Sequence, residues 1–211
     1  PDPRICLQDT VEGNVAVMNL DWPGCCNARR LNLPTSEGHT KDLIRSDAPD
    51  LVEDVHLREV TTLIDLRNTD ERNRARHRSL HLPLDGIEDQ EFWQNWGRRW
   101  EFGTPLYYRP HLERMPERSA RVLQAMADSQ PGTVLFHCAI GRDRTGMIAM
   151  LLLLALGVDH DLIVNDYMES ISRLPPQDVP LTREMVLDVV RQISNFRLVD
   201  EVALKRRFVQ K

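Results

Sequence analysis

The sequence predicts an α/β domain with a mostly parallel central sheet flanked by helices. Apolar, β-branched strand patterns alternate with helical patterns along most of the chain, and the chain ends in a run of helices. With 211 residues we expect a single domain over residues 1–211. A net charge of -5 argues against a nucleic-acid polymer or a membrane surface as the partner.

The elements of the first half are predicted to be short. Segments 15–18 and 31–33 have strand patterns, and 50–58 is expected to form a short helix with Asp50 near its cap. The β-branched segment 61–66 predicts a buried strand, and 80–84 predicts another that Pro83 ends or places at an edge.

Segment 85–112 is rich in aromatic residues. Phe92, Trp93, Trp96 and Trp100 recur at helical spacing within it. The spacing indicates a helix that packs its aromatic face on the domain, and the alternative is a lid-like excursion over a binding site.

The second half alternates helix, strand and helix, and then continues with helices. Helices are expected over 112–128, 145–156, 159–172, 182–195 and 199–208, with a strand over 133–138. The longest apolar run, 147–156, is too short to span a bilayer and indicates a buried helix.

The chemistry-bearing stretch follows the strand at 133–138. Cys138 is followed by a loop that contains Gly141, and Arg144 stands six positions after the cysteine, next to the buried helix. A loop that enters a helix N-terminus directs backbone N–H groups at one point, and a guanidinium can grip two oxygens of a tetrahedral anion. The same positive field favours a thiolate at Cys138, so the pattern predicts a nucleophile that faces a bound phosphate.

The residues around this loop make the pattern specific. Among the four cysteines only Cys138 has an Arg at the sixth following position, and His137 precedes it. The stretch resembles the cysteine-based protein tyrosine phosphatase superfamily, whose motif is His-Cys-x5-Arg-[Ser/Thr]. Residues 141–146 (GRDRTG) look like the atypical bacterial and fungal branch, which usually has Lys where this chain has Arg142. Weaker similarities lie at 32–35 with 37–38, at 44–46, at 64–67 with Glu71, and at 166–170.

The resemblance implies a role for each residue of the loop. Cys138 is the expected nucleophile, and Arg144 is expected to bind the phosphate and stabilise the transition state. The general acid is expected to be Asp143, with Asp85 as the alternative. The remaining residues complete the cradle or support it: Ala139, Ile140, Gly141 and Arg142 bind phosphate, His137 orients the loop, and Thr145 assists departure of the thiolate.

Other charged and thiol groups have two interpretations each. Asp65, Arg67 and Glu71 form either a buried ion pair that braces the loop or part of a substrate site. The basic residues within 72–78 form either a solvated helix face or a contact for a polyanionic substrate. Cys25 and Cys26 are expected to be ordinary buried thiols, with a redox partnership to Cys138 as the alternative.

The resemblance implies a phosphomonoester hydrolase, of the tyrosine or dual-specificity type, that forms a cysteinyl-phosphate. A phosphatase of small metabolites (a nucleotide, sugar phosphate or phosphoinositide) is the alternative on the same scaffold. A non-catalytic phosphate-binding module and a rhodanese-like sulfurtransferase are more distant alternatives. We expect a phosphorylated substrate, no metal or other cofactor, no membrane span and a cytoplasmic location.

Overall fold

A five-stranded sheet forms the centre of the part of the chain that the computed structural model describes, residues 18–31, 33, 41–175 and 180–208. Its strands are β1 (Arg29–Arg30), β2 (Lys41–Ser46), β3 (Val60–Asp65), β4 (Leu80–His81) and β5 (Gly132–His137). The strand order is β1-β2-β5-β3-β4; β1 is antiparallel to β2, and all other neighbours are parallel. The predicted α/β fold with a mostly parallel sheet is therefore confirmed.

Seven α-helices and two 3-10 turns accompany the sheet within the described residues. The helices are α1 (Gln90–Trp96), α2 (Tyr108–Arg114), α3 (Pro116–Asp128), α4 (Asp143–Leu156), α5 (His160–Arg173), α6 (Arg183–Ile193) and α7 (Glu201–Phe208). The 3-10 turns are Thr69–Arg72 and Pro105–Tyr107. Asp159 caps α5 and Thr182 caps α6, each by accepting a hydrogen bond from a backbone N–H of the first turn.

Alternate residues of the central strands face two separate cores. Leu43 and Phe136 belong to the larger core, which residues of α2 to α7 complete. Ile44 and Leu135 point to the opposite face, where Trp22 and other residues outside the helices cover them. Strands β2 and β5 are thus largely buried on both faces, as the apolar β5 segment requires.

One predicted helix is divided in two. The pattern over 112–128 belongs to the end of α2 and the whole of α3, which meet at Met115. Pro116 occupies the first position of α3, where the backbone N–H makes no helical hydrogen bond in any case. Inside one continuous helix its ring would clash with the preceding turn, so the chain breaks into two helices here. The strand predicted over 80–84 keeps only Leu80–His81, ahead of Pro83.

Two other expectations for the first half are wrong or lie outside the described residues. Segment 50–58 forms successive turns rather than a helix, such as the turn that the hydrogen bond from the Val52 N–H to the Pro49 carbonyl closes. The strand pattern at 15–18 lies outside the described residues except for Met18, and Leu31 in the 31–33 pattern follows β1 without joining it. Strand β2 was not predicted because Lys41, Asp42 and Arg45 interrupt its apolar pattern.

The aromatic segment 85–112 packs largely into the domain. Phe92 on α1 is buried and stacks on Trp96, and Tyr107 and Tyr108 are fully buried. Trp100 lies beyond the end of α1 and is 52% exposed. The helix with a packed aromatic face is therefore present over Gln90–Trp96, and the lid-like role of the segment stays a prediction.

Candidate active site

The carboxyl ends of β2, β5 and β3 lie side by side at one edge of the sheet. Ser46 pairs with His137, and His137 pairs with Asp65. Cys138 follows β5 directly and is 1% exposed. Because loops that leave parallel strands at one edge converge, this edge gathers the predicted site residues.

Residues 138–142 form a tight turn from β5 into α4. Arg142 is the N-cap residue and Asp143 the first residue of α4, two positions before the predicted start. Gly141 has a φ of +71°, and a Cβ built on it would lie 2.5 Å from the Ser46 carbonyl oxygen. The left-handed conformation and the missing side chain are therefore both needed for the turn to lie against the end of β2.

The guanidinium of Arg144 is held by two carboxylates. Glu71 accepts hydrogen bonds from both terminal nitrogens of Arg144, one of them 2.6 Å long. Asp85 lies 3.2 Å from Nη1 of the same guanidinium. Burial opposes the charge on Arg144, but Glu71, Cys138 and Asp85 together raise its pKa. The arginine is thus held in place and charged near Cys138, the predicted nucleophile.

Asp85 occupies a buried pocket next to that arginine. Its side chain is 6% exposed, and Oδ2 accepts a hydrogen bond of 2.9 Å from the Asn68 side chain. Burial raises the pKa of Asp85 above its ordinary value, although the charge of Arg144 and the Asn68 hydrogen bond oppose the shift. The alternative general acid therefore contacts the predicted phosphate-binding group directly.

Asp143 has a different neighbour. Its Oδ1 accepts a hydrogen bond from Nε of Arg142 at 3.1 Å, and Oδ2 is 3.4 Å from Nη2 of the same side chain. The buried Tyr108 hydroxyl donates to the Asp143 carbonyl at 2.6 Å. Burial raises the pKa of Asp143, and the charges of Arg142 and Arg144 only partly oppose it. Both candidate acids therefore hold their protons to higher pH than an exposed aspartate.

His137 and Thr145 are buried on either side of the loop. Nδ1 of His137 is 3.0 Å from the Cys138 carbonyl oxygen and Nε2 is 3.9 Å from Asp65, and burial lowers the pKa of the ring. The ring therefore holds the backbone carbonyl of Cys138. Oγ1 of Thr145 is buried and has no hydrogen-bond partner among the described residues, which leaves this hydroxyl available to a bound group.

The charged residues after β3 separate into two sets. Asp65 and Arg67 form a buried ion pair with Nη2 to Oδ2 at 2.9 Å, and Arg67 also binds Asp50. Glu71 instead contacts Arg144. The bracing ion pair is thus present, while Glu71 belongs to the candidate site.

The basic segment 72–78 is not the predicted helix face. It begins at the end of the 3-10 turn and continues as irregular structure. Arg72 binds Asp65, whereas Arg74, Arg76 and Arg78 are exposed.

The two adjacent cysteines differ. Cys25 is a free, partly buried thiol, and burial with the charge of Asp47 raises its pKa. Cys26 is disulfide-bonded, so the prediction of an ordinary thiol is wrong at this position. The thiol of Cys25 lies against the backbone carbonyl oxygens of Asp47 and Ala48, at 3.9 and 3.8 Å.

Neither a metal cluster nor a membrane span is found in the described part of the chain. No three His, Cys, Asp or Glu side chains there are grouped as a metal would require. None of the helices in those ranges has the length and apolarity to cross a membrane.

Sequence reasoning missed several polar residues around the site. Asn68 holds Asp85, Tyr108 holds the start of α4, and Asn27 and Ser170 lie behind the loop. Each acts on a residue distant in the chain, so no local spacing marks it. Arg45, Asp166 and Ser170 fell within weakly similar segments, which was the only signal available for them.

Segments of this chain are similar to proteins that are named as phosphatases. A triple specificity protein phosphatase, PtpB, of Mycobacterium tuberculosis is 38% identical over 82 residues, which is 39% of this chain and 27% of that protein. A tyrosine-protein phosphatase of Nostoc commune is 49% identical over 57 residues, 27% of this chain and 19% of that protein. The matched segments thus span only about a fifth to a quarter of these relatives.

A solved structure and a family model match much more of the chain. The crystal structure of P. aeruginosa TpbA covers 90% of this chain and 93% of that one, with a TM-score of 0.42 and 20% identity. The model described as "Tyrosine phosphatase family" matches residues 20–208. Because this match includes the loop from Cys138 to Arg144 and nearly all of the described fold, the chain belongs to the tyrosine phosphatase family.

Proposed function

We propose that this protein hydrolyses phosphomonoesters through a cysteinyl-phosphate intermediate. The observation that carries the proposal is the buried Cys138 at the mouth of a turn into α4, with Arg144 fixed two residues inside the helix. The turn offers backbone N–H groups and the positive end of a 14-residue helix dipole to a phosphate. Membership of the tyrosine phosphatase family supports the same chemistry.

The proposed reaction has two displacements at phosphorus. In the first, the Cys138 thiolate forms an S–P bond while the bond from phosphorus to the leaving oxygen breaks, and that oxygen takes the proton of Asp143. In the second, water attacks phosphorus and gives a proton to Asp143, and the S–P bond breaks to restore the thiolate. Arg144 and the amides of residues 139–144 stabilise the charge on the equatorial oxygens in both transition states.

Asp143 is the proposed general acid. Its raised pKa keeps a proton available, and the Arg142 side chain fixes the carboxyl at the start of α4. Asp85 is the rival, since it also has a raised pKa and lies 3.2 Å from Arg144. The Thr145 hydroxyl is proposed to donate a hydrogen bond to the departing thiolate, a role supported by its lack of another partner among the described residues.

A phosphoprotein is the proposed substrate class, by analogy with relatives named tyrosine-protein and triple specificity phosphatases. A small polyanionic metabolite would need free arginines at the mouth. Arg142 in the loop is 8% exposed and bound to Asp143. This contact favours a substrate with one phosphate group over a metabolite that carries several.

The test is a phosphate-release panel with the purified protein and its Cys138→Ser variant. Tyrosine-phosphorylated and serine-phosphorylated peptides, phosphoinositides, nucleotides and sugar phosphates are compared with p-nitrophenyl phosphate. We expect release from phosphotyrosine peptides and none from the variant, and quenched wild-type protein should carry phosphate on Cys138. Binding without hydrolysis would instead indicate a non-catalytic module, and sulfur transfer from thiosulfate a rhodanese-like enzyme.

The cytoplasmic location stays a prediction. Disulfides are rare in a reducing cytosol, so the bonded Cys26 favours an oxidising compartment. Cell fractionation with an antibody to the protein decides between the two.

A further inference from the structure

The outer face of the phosphate loop is fully engaged by hydrogen bonds. Three successive carbonyl oxygens, those of Ala139, Ile140 and Gly141, accept from donors that lie outside the loop. The donors are the Ala48 N–H at 3.0 Å, the Asn27 amide at 3.3 Å and the Arg45 guanidinium at 2.7 Å. In a planar trans peptide the N–H points opposite to the C=O. Carbonyls held outward therefore direct the following amides inward, toward the phosphate.

Two of these donors belong to one buried polar cluster, which we call the loop anchor. It consists of Asn27, Arg29, Arg45, Asp166 and Ser170. The Ser170 hydroxyl oxygen accepts hydrogen bonds from the side chains of Asn27, Arg29 and Arg45, at 3.2, 2.8 and 3.1 Å respectively. Asp166 binds both arginines, with Arg29 Nε at 3.0 Å. Asp166 and Ser170 are one helical turn apart on α5, so one face of that helix supports the whole cluster.

The charges of the loop anchor leave a positive excess behind the loop. Arg29 and Arg45 are both 0% exposed and share the single carboxylate of Asp166. Burial lowers the pKa of Arg29 to about 10, which still leaves it charged at neutral pH. Buried charges of this kind are costly unless they are well bonded, and the contacts with Asp166, Ser170 and the Gly141 carbonyl supply that bonding.

We propose that Arg45 and Asn27 are positioning residues for phosphate binding. They hold the carbonyls of Gly141 and Ile140 away from the site, so that the amides of the loop converge on the anion. The proposal rests on the phosphatase function argued above. It adds that the shape of the anion site depends on β2 and α5, which supply donors and support outside the motif itself.

The test compares two cations on the same strand. Lys41 also lies on β2, is 3% exposed and donates to the Met126 and Ala127 carbonyls. It is four residues from Arg45, about 13 Å along a strand, at the end remote from the loop. Arg45→Met and Lys41→Met therefore each remove a buried cation that donates to carbonyl oxygens, and only the first touches the loop. Arg45→Met also removes the contacts of Arg45 with Asp166 and Ser170.

Phosphate binding is measured by calorimetry on the full chain, together with the melting temperature and steady-state hydrolysis. We expect Arg45→Met to weaken the binding of inorganic phosphate at least tenfold and to lower kcat/KM in proportion. Arg45→Lys should recover part of the phosphate affinity. Lys41→Met should lower the melting temperature with unchanged phosphate affinity. If Arg45→Met does not fold, Asn27→Ala is measured instead. It should weaken phosphate binding because it removes the hydrogen bond from the Asn27 amide to the Ile140 carbonyl.

The inference is wrong if a folded Arg45→Met protein binds phosphate as tightly as wild type. If Arg45→Met does not fold, wild-type phosphate affinity in Asn27→Ala has the same meaning. Calorimetry does not need turnover. A wild-type protein that binds inorganic phosphate but hydrolyses no phosphomonoester would therefore contradict the proposed function and leave the inference on Arg45 standing.

Discussion

Replacing Gly141 with alanine tests whether the loop can keep its shape without a glycine. The substitution adds one methyl group at a φ of +71°, a left-handed conformation that costs an L-residue about 1–2 kcal/mol. The new Cβ would also lie 2.5 Å from three backbone atoms of Ser46 and Asp47. Overpacking against backbone that cannot move aside adds about 1–3 kcal/mol. The expected loss in free energy of unfolding is therefore about 2–5 kcal/mol.

Gly103→Ala provides the matched control. Gly103 has a φ of +77°, but a Cβ built there meets no described atom within 4 Å. This variant carries the backbone strain alone, so its expected cost is about 1–2 kcal/mol. The difference between the two variants then measures the steric contact of Gly141 with the end of β2.

The assays are thermal unfolding and competitive inhibition by inorganic phosphate. For a protein of this size each kcal/mol lowers the melting temperature by about 2–4 °C, so Gly141→Ala should melt about 4–20 °C below wild type. Its inhibition constant for phosphate should rise at least tenfold because the loop amides no longer converge. Equal destabilisation of the two variants with unchanged phosphate inhibition of Gly141→Ala would refute the reasoning.

Three further predictions concern individual carboxylates. Asp143→Asn should slow phosphotyrosine hydrolysis about 10²–10⁴-fold and hydrolysis of p-nitrophenyl phosphate less, and it should abolish the fall in rate as pH rises through the pKa of the acid. If Asp85→Asn has these effects and Asp143→Asn does not, Asp85 is the general acid. Glu71→Gln should lower kcat/KM about tenfold by loosening Arg144, whereas faster turnover would indicate that Glu71 competes with substrate. Burial raises the pKa of Asp65, but the hydrogen bonds from Arg67 outweigh burial and lower this pKa to about 2. The resulting stabilisation of about 2 kcal/mol should be complete above pH 5 and lost as pH falls toward 2. Urea unfolding of Asp65→Asn should lack this dependence of stability on pH.

The local sequence was sufficient where one pattern determines one element. The apolar segment 133–138 formed β5, the buried pattern over 145–156 formed most of α4, and Asp159 caps α5 as predicted. It was insufficient where distant contacts compete with propensity. Strand β2 carries Lys41 and Arg45 among its apolar residues, and only the carbonyls and carboxylate that these cations meet make their burial favourable.

The sequence by itself determined the strand, turn and helix that carry Cys138 and Arg144, and it predicted a nucleophile and a phosphate-binding arginine there, because both residues belong to one continuous segment. The tertiary structure decided what surrounds that segment. It placed Glu71 and Asp85 on Arg144 and the loop anchor behind Gly141. These contacts join residues from about 60 to 140 positions apart, and such pairings follow from strand order and helix packing rather than from any local spacing.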